Sequence, residues 1–427
     1  MASGKTLTYA ILASLVLGLI VGYVLNINVA PADIKPWIDG FTVVTTLFLR
    51  LIKMIIAPLV FATLVVGIAK MGDMGSVGRV GIKAFVWFMS ASLVSLGLGL
   101  LLVNFFQPGV GLAIELPAAG TATGVTAAGL TIQEFVLHLV PSSIVDGMAK
   151  NEILQIVVFS VFFGAACAAI GEKGKVLVEA LEGVSYAMLK LTMYVMWFAP
   201  LAVFAAVAAT VAKSGFGVLA VYGEFMLEFY LAIAVLWVIL FVAAYAVLGR
   251  RAVALFVAVR EPTLLAFSTA SSEAAYPKTL AMLEKFGCSN RVASFVLPLG
   301  YSFNLDGSML YCTFAVMFIA QAYGIELSVG QQLTMLLILM VTSKGMAGVP
   351  RASLVVIAAT LAQFNIPEAG LLLLLGVDHF LDMGRSATNV IGNSVATAVV
   401  AKWEGQLRPE GEAAPEVIAA TEERRAG

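Results

Sequence analysis

The chain has 427 residues, of which 61% are hydrophobic and 12% are charged, and its formal net charge is −1. An ordinary soluble domain is about 25% charged, and a soluble fold of this size could not cover its surface with so few charges. The same numbers exclude a disordered chain, and the lack of a basic excess argues against nucleic acid as a partner. Long unbroken apolar runs predict an all-α polytopic membrane protein rather than a β-barrel, whose segments alternate.

The apolar runs, in chain order, give the predicted elements. Clear runs span about 7–26, 42–69, 84–106, 152–171, 191–212 and 226–249, each close to or above the length of ~20 residues that crosses a bilayer. Three longer stretches, 252–290, 292–323 and 330–402, are apolar but broken by polar clusters. We interpret the first run as a retained helix, because it is long and lacks the small-residue cleavage site of a signal peptide.

Positive charges between these runs predict the orientation. Lys and Arg lie in the loops around 70–83 and 172–190 and at Arg250 and Arg251, but none lies between Lys83 and Lys150. Because positive loops stay in the cytoplasm, we predict a multi-pass protein of the inner (plasma) membrane with both termini cytoplasmic. From Glu404 onward the chain is charged and rich in Ala, Glu and Pro, which predicts a short disordered cytoplasmic tail over residues 404–427.

The cysteines give no sign of a cofactor site. Cys167, Cys288 and Cys312 are scattered, and no CxxC pair occurs. Neither a disulfide framework nor a zinc site is indicated, so we expect no metal and no cofactor.

Polar clusters interrupt the last apolar stretches. They are Ser268–Glu273, Asn304–Ser308, Ser343–Arg351 and Asp378–Asn393. The first and third have apolar arms about half a membrane deep, which favours re-entrant hairpins over surface loops. Two half-helix N-termini would then point into a cavity and favour an anion.

The fourth cluster is the sharpest signal in the chain. Asp378, Asp382, Arg385 and Asn389 are spaced at i, i+4, i+7 and i+11, which places them on one stripe of a helix. Ionisable groups inside a membrane helix are costly and usually line a pathway or site, although a salt bridge that only locks helices together is the alternative. The second cluster, from Asn304 to Gly307, is open to two interpretations. It is either an unwound helix segment that binds a cation or a kink within a helix.

At these residues the chain strongly resembles the glutamate transporter family, the dicarboxylate/amino acid:cation symporters. The resemblance rests on the Ser-rich stretch before Glu273, Asn304-Leu305-Asp306-Gly307-Ser308, Ala347-Gly348-Val349-Pro350, Asp382-Met383-Gly384-Arg385-Ser386 with Asn389, and the run Arg50–Phe61. It implies eight transmembrane helices, two re-entrant helical hairpins, inverted repeats, a homotrimer and an elevator-type mechanism.

The resemblance also implies a division of the chain. Scaffold helices 1 and 2 would occupy residues 1–70, and scaffold helices 4 and 5 would occupy 131–213. The transport domain would comprise 71–130, with helix 3 and an outer loop, and 214–403, with helix 6, hairpin 1, helix 7, hairpin 2 and helix 8. Residues 404–427 would be the tail.

By the same resemblance, Arg385 would bind the side-chain carboxylate of an acidic substrate and Asp382 its ammonium group. The other implied substrate-binding residues are Ser271, Ser272, Ser308, Val349, Ser386 and Asn389. A plain dicarboxylate has no ammonium group to pair with Asp382, so we expect glutamate or aspartate as the substrate.

The implied coupling residues depart from the sodium-coupled pattern. They are Glu273, Asn304, Asp306, Lys344, Asp378 and Asn393. Asn393 stands where sodium-coupled members place a carboxylate, and Lys344 lies where its ammonium could replace a sodium ion. These changes resemble the proton-coupled bacterial branch, so we predict proton symport, with Glu273, Asp306 or Asp378 as the carrier. Nothing explains Arg351.

Two other functions remain open at this point. The nearer is a sodium-coupled symporter of C4-dicarboxylates with the same fold. The more distant is an anion channel that conducts through a polar groove. An enzyme is not expected, because the adjacent Ser343 and Lys344 would not point their side chains together as a nucleophile and base must.

Overall fold

The computed structural model describes residues 4–30, 33–71, 74–111, 116–118, 137, 139–215, 217–343, 352–375 and 377–409. The predictions for Lys344, Val349 and Arg351 lie outside the described residues, as does much of the outer loop. Within the described part of the chain, the structure is helical apart from an isolated β-bridge between Cys288 and Leu407.

The helices follow the apolar runs closely. The first half of the chain forms α1 (Gly4–Asn28), α2 (Lys35–Met71), α3 (Met74–Phe106), α4 (Ile144–Lys150), α5 (Ile153–Ala169), α6 (Glu172–Val195) and α7 (Ala199–Ser214). The second half forms α8 (Gly217–Leu248), α9 (Arg251–Thr269), α10 (Ser272–Phe286), α11 (Asn290–Phe303), α12 (Asp306–Ala322), α13 (Val329–Thr342), α14 (Ala352–Gln363), α15 (Leu371–Leu375) and α16 (Asp378–Trp403). Among the described residues, seven helical stretches are long and apolar enough to cross a membrane, which agrees with a polytopic membrane protein.

Two interruptions occur where the polar clusters predicted non-helical backbone. Helix α9 ends at Ala270, whose φ of 49° is left-handed, and Ser271 caps α10 by accepting a hydrogen bond from the Ala274 amide. Asn304 and Leu305 separate α11 from α12 with non-helical dihedral angles. Both breaks leave amide groups at helix N-termini without intrahelical partners, which is where anions and polar side chains bind.

The helices pack in two groups. Helices α1, α2, α5, α6 and α7 pack on one another. In the second group, α3 and α8–α12 pack around α16, and α13 and α14 pack on α12. Helix α16 is buried along almost its whole length. The groups meet where α10 packs against α2 and α6, where α11 packs against α2 and α5, and where α9 packs against α7.

The predicted disorder of the tail is wrong for its first residues. Residues 404–409, which we call the C-terminal strap, pack against the turn between α10 and α11. The Ser289 amide donates to the Gln406 carbonyl at 3.0 Å, and the Arg408 amide donates to the Gly287 carbonyl at 2.9 Å. Glu404 pairs with Lys83 of α3 at 2.7 Å. These long-range partners order a segment whose composition alone resembles a disordered tail.

Candidate functional site

The charged stripe of α16 forms an ion-pair cluster around one guanidinium group. Arg385 is 1% exposed, and its Nη2 lies 3.1 Å from Asp378 Oδ1 and 3.0 Å from Asp382 Oδ1. The Asp378 side chain is buried, whereas that of Asp382 is 29% exposed. One carboxylate therefore fixes the guanidinium in the protein interior, and the other reaches a more open position.

Tyr311 of α12 completes this cluster. Its ring centroid lies 4.0 Å from the guanidinium carbon of Arg385, and its hydroxyl donates to Asp378 Oδ1 at 3.3 Å. A cation over an aromatic face is stabilised most strongly when water is excluded, and Tyr311 is fully buried. The ring and the carboxylate together hold the guanidinium in one orientation.

The rest of the guanidinium is left for another ligand. Arg385 Nε and Nη1 are buried and make no hydrogen bond to any residue in the described part of the chain. Buried donors without a partner cost about 1–3 kcal/mol each, and more when charged. Guanidinium N–H groups form strong charge-assisted hydrogen bonds to carboxylates, so these open donors of Arg385 are suited to an anionic ligand.

The start of α12 supplies the neighbouring polar groups. Asn389 Oδ1 accepts hydrogen bonds from the amides of Gly307 at 2.9 Å and Ser308 at 3.4 Å, and Asn389 Nδ2 donates to Ser308 Oγ at 3.2 Å. A Cβ atom at Gly307 would lie 2.5 Å from the Arg385 carbonyl oxygen, so only glycine permits this approach. Asn389 and Ser308, two of the predicted substrate-binding residues, therefore contact each other across α16 and α12, next to the backbone of Arg385.

The other predicted substrate-binding residues occupy different positions. Ser271 and Ser272 lie at the start of α10, and the Ser271 hydroxyl already serves as the helix cap. The Ser271 amide donates to the Ala266 carbonyl at 3.1 Å and is not open to a ligand. Ser386 follows Arg385 and is buried.

A second polar cluster lies at the break between α11 and α12. Asp306 Oδ1 accepts from Ser95 Oγ at 3.2 Å, and Asp306 Oδ2 accepts from Asn304 Nδ2 at 3.0 Å. The same Asn304 nitrogen lies 3.3 Å from Asn393 Oδ1. Three of the predicted coupling residues thus come together, with Ser95 of α3 as a partner.

Glu273 is placed apart from the second polar cluster. It is half-buried near the start of α10, where it lines a small cavity between the two helix groups. Among the described residues, no group of three or more His, Cys, Asp or Glu side chains could hold a metal ion.

Sequence reasoning missed several partners of α16 and of the second polar cluster. Tyr311 and Ser95 lie in apolar helices, where an aromatic or small polar residue carries no distinctive pattern. Tyr230 and Trp237 of α8 were also missed, although they bond to the Phe380 carbonyl at 2.5 Å and Thr388 Oγ1 at 2.8 Å. The sequence gives one weak sign of these partners. Each residue carries a hydrogen-bonding group inside an apolar run of membrane length, where a polar group without a partner would be costly.

Comparisons with known proteins identify the family of this chain. Residues 7–403 match the model of the sodium:dicarboxylate symporter family. A C4-dicarboxylate transport protein of Geobacter sp. (strain M21) is 42% identical over 408 residues, which cover 94% of this chain and 91% of the relative. A proton/sodium-glutamate symport protein of Bacillus caldotenax is 41% identical over 419 residues, covering 95% and 96%. A proton/sodium-glutamate symport protein of Bacillus subtilis (strain 168) is 39% identical over 405 residues, covering 93% of each.

These matches span nearly the whole chain and confirm the family resemblance. The family comprises symporters rather than enzymes, and symporters need no enzymatic cofactor because their coupling ions are transported substrates. Several membrane-length helices agree with that role. The chain therefore belongs to the sodium:dicarboxylate symporter family, as a multi-pass membrane transporter of the cation-coupled type.

Proposed function

We propose that this protein imports glutamate or aspartate together with protons. The observation that carries the proposal is the buried guanidinium of Arg385, which is fixed by Asp378 and Tyr311 and leaves two donor nitrogens open. An acidic substrate supplies the carboxylate that those donors lack. Ser308 and Asn389 lie on the same two helices and would contact the substrate next to Arg385.

Asp382 supports an amino acid over a plain dicarboxylate. Its side chain is the more exposed of the two carboxylates on Arg385, so it can leave Nη2 and pair with an ammonium group. A dicarboxylate would bring a second negative charge toward Asp382 without a cation to offset it. An α-ammonium group offsets that charge, and the substrate α-carboxylate would meet Asn389 and the amide groups near Ser271 and Ser272.

The polar cluster at the helix break supports protons over sodium. Asn393 contributes an amide where a carboxylate would attract a cation, and Asn304 Nδ2 is directed at Asp306. Asn304 Nδ2 and Ser95 Oγ donate to the two carboxylate oxygens of Asp306, which a sodium ion would otherwise need as ligands. Lys344 is proposed to add fixed positive charge at the second hairpin.

The two helix groups fit an elevator mechanism. We assign α1, α2, α5, α6 and α7 to a scaffold, and α3 with α8–α16 to a transport domain that slides along it. On this proposal α9 with α10 forms one re-entrant hairpin, and α13 with α14 forms the other. The remaining long helices give eight transmembrane helices when α6–α7 and α11–α12 are each counted as one. The scaffold would assemble a homotrimer in the inner membrane with both termini in the cytoplasm.

Uptake into liposomes that contain the purified protein tests this proposal. Labelled glutamate, aspartate and succinate are supplied under a pH gradient alone or a sodium gradient alone. We expect the amino acids to accumulate when the lumen is alkaline and sodium is absent. Accumulation that requires sodium and ignores the pH gradient would contradict it.

A sodium-coupled C4-dicarboxylate symporter is the second candidate. It is favoured by the similarity to the Geobacter relative, which bears the name of a C4-dicarboxylate transport protein. In the same liposomes it would accumulate succinate in preference to glutamate. Inhibition of labelled glutamate uptake by unlabelled succinate then measures how tightly succinate binds at the glutamate site.

A further inference from the structure

Helix α8 supports α16 along one stripe of the α16 surface. The Tyr230 hydroxyl donates to the Phe380 carbonyl at 2.5 Å, and Trp237 Nε1 donates to Thr388 Oγ1 at 2.8 Å. The two donors lie about two turns apart on α8, and the two acceptors lie about two turns apart on α16. The pair of bonds therefore holds α16 at two points along its length.

Gly384 lies between these two points and lets the helices approach closely. A Cβ atom at Gly384 would lie 2.9 Å from Tyr230 Cε1, so a larger residue would push the tyrosine ring away. Thr388 Oγ1 also donates to the Gly384 carbonyl at 2.8 Å. One chain of hydrogen bonds thus runs from Trp237 to the peptide group that precedes Arg385.

The charged stripe lies on another side of the same helix. At about 100° per residue, its members lie about 130° around the helix axis from the residues that α8 contacts. These members are Asp378, Asp382, Arg385 and Asn389. We therefore expect Tyr230 and Trp237 to influence a ligand on the charged stripe through α16 rather than by direct contact.

The two charged side chains that would meet the substrate differ in how firmly they are held. The Arg385 side chain is 1% exposed, and its guanidinium lies 4.0 Å from the ring of Tyr311, a residue of α12. Phe229 of α8 supports that ring, with 5.6 Å between the two ring centroids. The Asp382 side chain is 29% exposed, so packing restrains it less. Its direction depends more strongly on the rotation of α16 about its own axis.

A small rotation of α16 is enough to change what Asp382 reaches. A side chain ends about 6 Å from the helix axis, so a rotation of about 10° moves that end by about 1 Å. Charge-assisted hydrogen bonds are about 2.7–2.9 Å long, and a displacement of that size breaks one.

We propose that Tyr230 and Trp237 are positioning residues that fix the rotation of α16 and thereby set the selectivity between an acidic amino acid and a plain dicarboxylate. This inference rests on the ammonium partner proposed for Asp382. While the rotation is fixed, Asp382 meets the ammonium group of glutamate. When α16 turns, that contact is lost, whereas Arg385 still binds a carboxylate. Loss of either bond from α8 therefore weakens the binding of glutamate more than that of succinate, which has no ammonium group.

Tyr230→Phe and Trp237→Phe test the proposal, because each removes a hydrogen-bond donor and keeps an aromatic ring. Titration calorimetry in nanodiscs gives the Kd and the number of binding sites for glutamate and for succinate. We expect each variant to raise the Kd for glutamate about three- to tenfold, which corresponds to about 0.6–1.4 kcal/mol, and the Kd for succinate less than about twofold. Tyr245→Phe is the matched control on α8, because Tyr245 is 47% exposed, and it should keep both Kd values.

The bond between Trp237 and Thr388 allows a second test. Thr388→Val should raise the Kd for glutamate as Trp237→Phe does, and Thr388→Ser, which keeps the hydroxyl group, should retain the wild-type value. A variant that carries both Trp237→Phe and Thr388→Val should bind glutamate no more weakly than Thr388→Val, because the bond is already absent. Fully additive effects of the two changes would overturn the role given to this bond.

The outcomes separate this proposal from the proposed function. Wild-type protein that binds succinate more tightly than glutamate would overturn the proposed substrate and the positioning role together. Wild-type protein that prefers glutamate, with Tyr230→Phe and Trp237→Phe variants that keep both Kd values, would overturn the positioning role alone. An equal rise in both Kd values, or fewer binding sites at unchanged Kd values, would also overturn it, because a purely structural role gives those results.

Discussion

Replacing Arg385 by lysine probes the fork of the guanidinium without removing its charge. Arginine now uses one nitrogen, Nη2, for both Asp378 and Asp382, and leaves Nε and Nη1 for the substrate. Lysine places all of its N–H groups on one nitrogen, so pairing with the two aspartates leaves one N–H for a ligand. The variant therefore isolates the geometry of carboxylate binding from simple charge attraction.

The expected effect follows from the bonds that are lost. Lysine gives up at least one charge-assisted hydrogen bond to the substrate carboxylate, worth about 1.5–3 kcal/mol. Since about 1.4 kcal/mol is tenfold in affinity, the Kd for glutamate should rise about 10- to 150-fold. Loss of the stacking on Tyr311 adds to this effect.

Titration calorimetry on purified protein in nanodiscs measures the change. Arg251→Lys is the matched control, because Arg251 is also a hydrogen-bonded arginine but binds the carbonyls of Phe286 and Arg408 at the C-terminal strap. We expect Arg251→Lys to change the Kd for glutamate by less than about threefold, whereas a tenfold change corresponds to about 1.4 kcal/mol. An Arg385→Lys variant that binds glutamate as well as wild type would refute the role of the open donors.

Three further predictions concern α16 and the turn that the C-terminal strap covers. Asp382→Asn should reduce uptake of glutamate and aspartate far more than that of succinate, and equal losses would argue against an ammonium partner. Asn389→Ala should lower stability by about 1–3 kcal/mol, because it leaves the Gly307 amide buried without its acceptor, and scanning fluorimetry with an unchanged Tm would count against this contact. Burial raises the pKa of Cys288 to about 12, so with the other two cysteines replaced it should stay a thiol and resist maleimide at neutral pH. Ending the chain after Trp403 removes the C-terminal strap and should expose Cys288 to labelling; continued resistance would show that the strap does not cover it.

Local patterns were sufficient to predict the charged stripe and the helix breaks. The four-residue spacing of Asp378 and Asp382 needs only helical geometry to place both on Arg385, and the break at Asn304 and Leu305 lies where a polar cluster interrupts an apolar run. These features depend on neighbours along the chain, so a single sequence contains them.

Partners from other helices could not be predicted in the same way. The contact of Tyr311 with Arg385 and the bond from Ser95 to Asp306 depend on how α12 and α3 pack. The order of the C-terminal strap depends likewise on backbone bonds to Gly287, more than a hundred residues away. Composition describes a segment in isolation, whereas these contacts are set by tertiary packing.

Proton movement that accompanies glutamate entry measures proton symport directly. A pH electrode follows the medium around proteoliposomes in sodium-free buffer when glutamate is added. Proton symport predicts that the medium becomes more alkaline as glutamate enters, and we expect a smaller change with succinate. Glutamate entry that leaves the external pH constant and begins only when sodium is added would contradict it.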